Sequence, residues 1–149
     1  MTVKLTAANP PKNISPKINF ILRYRDTNYL IVLSRADMEP ESLRLALLGS
    51  LRYGKLFVMD VDMMDLFTAV EQYFDKVKIG LFNAILSGEV KERDYYRSLV
   101  KKGDHIDYQT SGFNEHRLSQ YRFVIYSRIN PDQKWFDLLY PIHVIPPTG

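Results

Sequence analysis

From Tyr121 to Ile145 the chain reads Y-R-F-V-I-Y-S-R-I-N-P-D-Q-K-W-F-D-L-L-Y-P-I-H-V-I, its densest run of apolar and aromatic residues. Such a run has to be hidden from water, so the remaining elements are expected to pack around it. Tyr121, Phe123, Ile125 and Ile129 fall on one face at period two. Arg122, Tyr126 and Arg128 fall on the other, with Val124 among them, and this alternation predicts a strand. Asn130-Pro131-Asp132 supplies a turn, and Trp135 to Ile145 predicts a second extended segment that completes a hairpin. Pro141 lies inside that segment and places it at a sheet edge or in a bent strand.

A second hairpin is expected near the start. Ile18, Phe20, Leu22 and Tyr24 alternate with Arg23 and Arg25, Asp26-Thr27-Asn28 reads as a turn, and Tyr29 to Ser34 reads as a strand buried on both faces. Residues 1–17, with Pro10, Pro11 and Pro16, predict an extended or disordered arm. Residues 18–149 then form one domain, the expected outcome for a chain of 149 residues.

The middle of the chain is helical in period. Pro40 to Tyr53 has a proline at its start, acids at 37, 39 and 41, and Gly54 as a left-handed stop. Lys55 to Val61 is a short apolar run that suits a strand. Met63, Leu66, Phe67, Val70, Phe74, Val77 and Leu81 follow helical spacing, and a helix over 63–87 would carry Gly80 inside it. Glu92 to Lys102 reads as a surface helix with acids early, lysines late and Gly103 after it. Residues 103–118 show no period. The expected fold class is α+β: two antiparallel hairpins, N- and C-terminal, in one sheet packed with about three helices from the middle of the chain.

The chain has no cysteine, which removes disulfides, cysteine nucleophiles and thiolate metal sites and suits a reducing compartment. No apolar run is long enough for a membrane span, and residues 1–16 lack the apolar centre of a signal peptide, so a cytoplasmic location is the expectation. The formal charge of +3 creates no strong basic field.

Four arrangements bear on function. Asp60 and Asp62 end an apolar run, with Asp65 following, and paired carboxylates there suit a divalent cation in phosphotransfer chemistry. Helix capping by Asp62 and Asp65, with Asp60 in a turn, explains the same spacing. Asp104, His105, Asp107, Glu115 and His116 offer metal-ligand chemistry without ligand spacing, Ser111 lacks the setting of a nucleophile, and His143 has no orienting partner. Arg23, Arg25, Arg122, Tyr126 and Arg128 would form an Arg/Tyr sheet face able to hold single-stranded nucleic acid. Trp135, Phe136, Tyr140, Ile142 and Val144 would form an apolar C-terminal edge for a protein partner or a second copy. The leading expectation is a small non-enzymatic binding or regulatory protein acting through that edge, with no catalytic residue, metal or cofactor assigned. The nucleic-acid face comes second, and the Asp60/Asp62 phosphotransfer enzyme third.

Overall fold

The computed structural model describes residues 3–7 and 27–144. In chain order the elements are β1 (Val3–Ala7), β2 (Thr27–Ile31), α1 (Pro40–Tyr53), β3 (Leu56–Asp62), α2 (Phe67–Val77), α3 (Leu81–Ser87), α4 (Arg93–Leu99), α5 (Glu115–Gln120), β4 (Arg122–Ser127), α6 (Gln133–Leu138) and β5 (Tyr140–Val144). They form an α+β fold with one sheet in the order β2-β3-β4-β1-β5. Its first three strands are parallel: Tyr29 lies opposite Val58, and Val58 opposite Val124. β1 runs antiparallel to both β4 and β5.

This topology corrects the expectation of two antiparallel hairpins with about three helices. The segment 18–25 lies outside the described residues. Its expected partner is β2, which pairs in parallel with β3 through the crossover helix α1. A helix between two strands brings the second back in the same direction, which a tight turn cannot do. Thr27 and Asn28, expected in a turn, belong to β2. The Asn28 amide is accommodated because it donates to the Ala46 carbonyl (3.0 Å) and to Ser50 Oγ (2.7 Å) on α1. β2 is an edge strand, so Ile31 (45% exposed) and Leu33 (58%) are not buried on both faces.

At the other end, Asn130-Pro131-Asp132 leads into a helix. Asp132 accepts from the Gln133 N–H at 2.7 Å and starts α6, so Trp135 to Leu138 are helical. The following strand β5 then lies beside β1, not β4. The run from Trp135 to Ile145 was legible as apolar, but periodicity alone does not separate a short buried helix from a strand.

The helix expected over 63–87 is two helices, α2 and α3. They part at Gly80, whose φ of 83° belongs to the left-handed region that glycine enters without cost. α1 keeps its expected bounds, from Pro40 to a left-handed Gly54 at φ 67°.

Phe57, Met59 and Val61 of β3 and Phe123 and Ile125 of β4 alternate onto the helical side and join one core with Leu43, Leu47, Leu48 and Leu51 of α1. Phe74 is its hub, with ring centroids 5.9 Å from Phe57, 6.1 Å from Phe82 and 5.7 Å from Phe123. Each buried ring contributes about 1.5–3 kcal/mol through the area it takes from water. On the opposite face Val58 and Val124 make a smaller cluster with Tyr29, Leu56 and Tyr126.

One core group lacks a partner. Tyr121 is 3% exposed, and its hydroxyl has no hydrogen bond among the described residues. Burial pushes its pKa upward, so it stays neutral. Tyr121→Phe removes an unsatisfied group at little cost in packing, and it is expected to leave stability unchanged or raise it by up to about 1 kcal/mol. A urea titration checks this.

Candidate functional site

Parallel strands place chemically distinct residues at their two ends. At the carboxyl end, Asp60 accepts from the Tyr29 hydroxyl through Oδ2 and from the Asp62 N–H through Oδ1 at 2.8 Å. Asp62 has φ 51°, the one left-handed non-glycine residue among those described, at a register shift between β3 and β4. Aspartate tolerates that conformation better than most residues. The Asp62 carbonyl accepts from the Arg128 N–H at 2.8 Å, and its Oδ1 lies 3.3 Å from Arg128 Nε. A hydrogen bond with Tyr126, followed by the field of Asp62, holds the Arg128 guanidinium firmly charged.

Helix capping does not account for these aspartates. α2 begins at Phe67 with Leu66 as its N-cap and no side-chain cap bond, so neither Asp62 nor Asp65 caps it. Asp62 instead turns the chain out of β3 and anchors Arg128. The pair Asp60/Asp62 has no third ligand: among the described residues no group of three His, Asp or Glu could hold a metal ion. The set from 104 to 116 is likewise dispersed. Asp104 is bound by Arg44, His105 accepts from the Asp107 N–H at 3.3 Å, and His116 meets Gln120 at 3.3 Å.

The Arg/Tyr face is divided. Arg122 opens β4 and Arg128 follows its end, so they lie about 20 Å apart at some 3.3 Å per residue. Arg122 Nη1 donates to the carbonyls of Ser119 (2.6 Å) and Tyr121 (2.7 Å), at the end of α5. Arg23 and Arg25 lie outside the described residues.

The C-terminal set is divided as well. Trp135 is 3% exposed, with its ring 5.3 Å from Phe67 and 6.0 Å from Phe82. Phe136 is half-buried on α6. Tyr140 is 55% exposed, beside Leu138 at 54%. Ile142 and Val144 lie in β5, the outermost strand of the sheet.

The two outer strands differ. On β2 the Ile31 N–H, which points away from β3, is occupied by the Asp37 carboxylate at 2.9 Å. A carboxylate there blocks strand addition. The residues of β5, Y-P-I-H-V, include no Asp, Glu, Lys or Arg.

At the amino end of the sheet lies a group that the sequence reading passed over. Tyr53, at the end of α1, has Arg52 Cζ at 5.1 Å, Lys55 Nζ at 5.7 Å and Arg117 Cζ at 5.9 Å from its ring centroid. The run Arg52-Tyr53-Gly54-Lys55 was the available signal, but Arg117 reaches it only in three dimensions. No known family model matches the chain, and no solved structure matches it.

Proposed function

We propose that the chain is a small non-enzymatic binding protein that acts through protein–protein contacts at its C-terminal sheet edge, with a second copy of itself as the partner. The observation that carries this reading is the contrast between the outer strands. β2 is closed by the Asp37 carboxylate, whereas β5 contains no Asp, Glu, Lys or Arg of its own, begins with exposed Tyr140 and closely follows exposed Leu138. An edge strand of this kind adds a further strand through backbone hydrogen bonds. Two copies related by a two-fold axis present the same strand to each other in antiparallel sense. Pro141 limits the ladder at one position, and an outer strand tolerates this. Leu138 and Tyr140 take the contact role, because Trp135 is committed to the core.

Sedimentation equilibrium tests the reading. The wild-type chain is expected to dimerise with rising concentration. Tyr140→Lys and Leu138→Lys are expected to remain monomeric and to melt like the wild-type chain at concentrations where it too is monomeric, since both side chains are exposed. A wild-type chain that stays monomeric throughout refutes self-association through β5, as does a dimer that both variants leave intact.

A further inference from the structure

We infer that the amino end of the parallel sheet is a binding site for the phosphate backbone of a nucleic-acid strand, built from Arg52, Lys55 and Arg117 around Tyr53 and continued by Arg122. This site is separate from the β5 edge and does not depend on the reading of that edge.

The three cations come from different elements. Arg52 lies in the last turn of α1, Lys55 precedes β3, and Arg117 belongs to α5. Gly54 lets them meet: a Cβ at this position would lie 2.6 Å from the Arg117 carbonyl and 3.1 Å from Gln120. The backbone of α5 therefore approaches the end of α1 at a distance only glycine permits. Asn114 fixes the start of α5 by accepting from the Arg117 N–H at 2.9 Å.

Among the described residues, none of the three cations has a carboxylate within ion-pair distance. Arg52 Nε donates to the Asp107 carbonyl at 3.0 Å, and the Asp107 carboxylate accepts instead from the Tyr53 hydroxyl at 3.2 Å. In these cation–π contacts the ring neutralises no charge. The positive charge is left for an anion from solution.

The cluster extends along the sheet. Leu56, next to Lys55, lies opposite Arg122 in the β3–β4 register, so Arg122 is one strand away. Cations from α1, the start of β3, α5 and the next strand offer positive charge at several points along this end of the sheet, which suits the repeated phosphates of a nucleic-acid backbone. The opposite end of the sheet carries Asp60, Asp62 and the Asp37 carboxylate, with Arg128 beside Asp62. Tyr53 is occupied by cations, so the expected contact is to the backbone and independent of base sequence.

Fluorescence anisotropy of a labelled mixed-sequence single-stranded oligonucleotide tests this, read at about 50 and about 200 mM salt. With three or four phosphates engaged, affinity is expected to fall roughly 20- to 50-fold between the two. The double variant Lys55→Gln/Arg117→Gln is expected to bind more weakly and to reduce the slope of log affinity against log salt by about 1.4. Arg128→Ala, at the acidic end, is expected to bind like wild type. Circular dichroism melts confirm that each variant is folded, and Lys55→Gln alone serves if the double variant is not. The assignment is overturned by a wild-type chain that does not bind at the lower salt, or by charge-removed variants that bind like wild type. Capture of inorganic polyphosphate without the oligonucleotide would overturn the nucleic-acid assignment and leave a free polyphosphate site.

Discussion

Arg44→Met is expected to cost about 3–5 kcal/mol of stability, because it leaves a carboxylate buried without its partner. The Arg44 and Asp104 side chains are 4% and 7% exposed. Nη1 and Nη2 of Arg44 reach the two Asp104 oxygens at 2.6 and 2.7 Å, and Nη1 also donates to the Leu99 carbonyl at 2.9 Å. Glu41 accepts from the other side of the guanidinium and pairs with Lys101 at 2.8 Å. The network ties α1 to the segment after α4 across 60 residues of sequence. Replacing both partners, as Arg44→Met/Asp104→Leu, is expected to recover much of the loss, since it removes the stranded charge along with the pair. Denaturant melts of the single and double variants check both statements.

The same network predicts an acid limb. Hydrogen bonds from Arg44 and then Lys101 lower the Glu41 pKa from 4.5 to about 2, and Arg44 also lowers that of Asp104. Both carboxyls bind protons more readily in the unfolded chain. Their contribution is therefore present above the unfolded value and is lost as pH falls through the folded one. For Glu41 that window runs from pH 4.5 to about 2, and solvent screening keeps its contribution small because the side chain is exposed. Stability measured across this range should fall in the wild-type chain and be flatter in Arg44→Met.

Trp135→Ala is expected to cost about 3–5 kcal/mol, the usual range for emptying a buried aromatic site. For a chain of this length that lowers Tm by roughly 10 °C. The reason is the ring's position against Phe67 and Phe82, which α6 holds against the core. A residue serving an exposed interface would instead lose association and keep its melting temperature. Thermal unfolding of the variant decides between the two roles of Trp135.

Residues whose behaviour is set by near neighbours were legible. α1 could be read from Pro40, the acids before it and Gly54, because capping and backbone preference act within a few positions. β3 and β4 could be read from their apolar runs, and Phe123 and Ile125, which alternate with Arg122 and Tyr126, do lie on the core side of β4. The candidate sites were less legible. Asp60 and Asp62 stood out as a pair, but their partners are Tyr29 on β2 and Arg128 just past β4. The spacing of Asp62 and Asp65 imitated a cap that α2 does not use.

Local rules were enough for an α+β chain with an apolar core, for the start and stop of α1 and for the strand character of β3 and β4. Each follows from periodicity or from the backbone preference of a few neighbouring residues. Long-range packing alone set the parallel direction of β2, β3 and β4, the inward turn of Trp135 on a helix, the pairing of Asp104 with Arg44, and the meeting of Arg117 with Arg52 and Lys55 around Tyr53. Strand direction and side-chain partnership depend on which distant segments bury each other best, and no short stretch of this chain contains that balance.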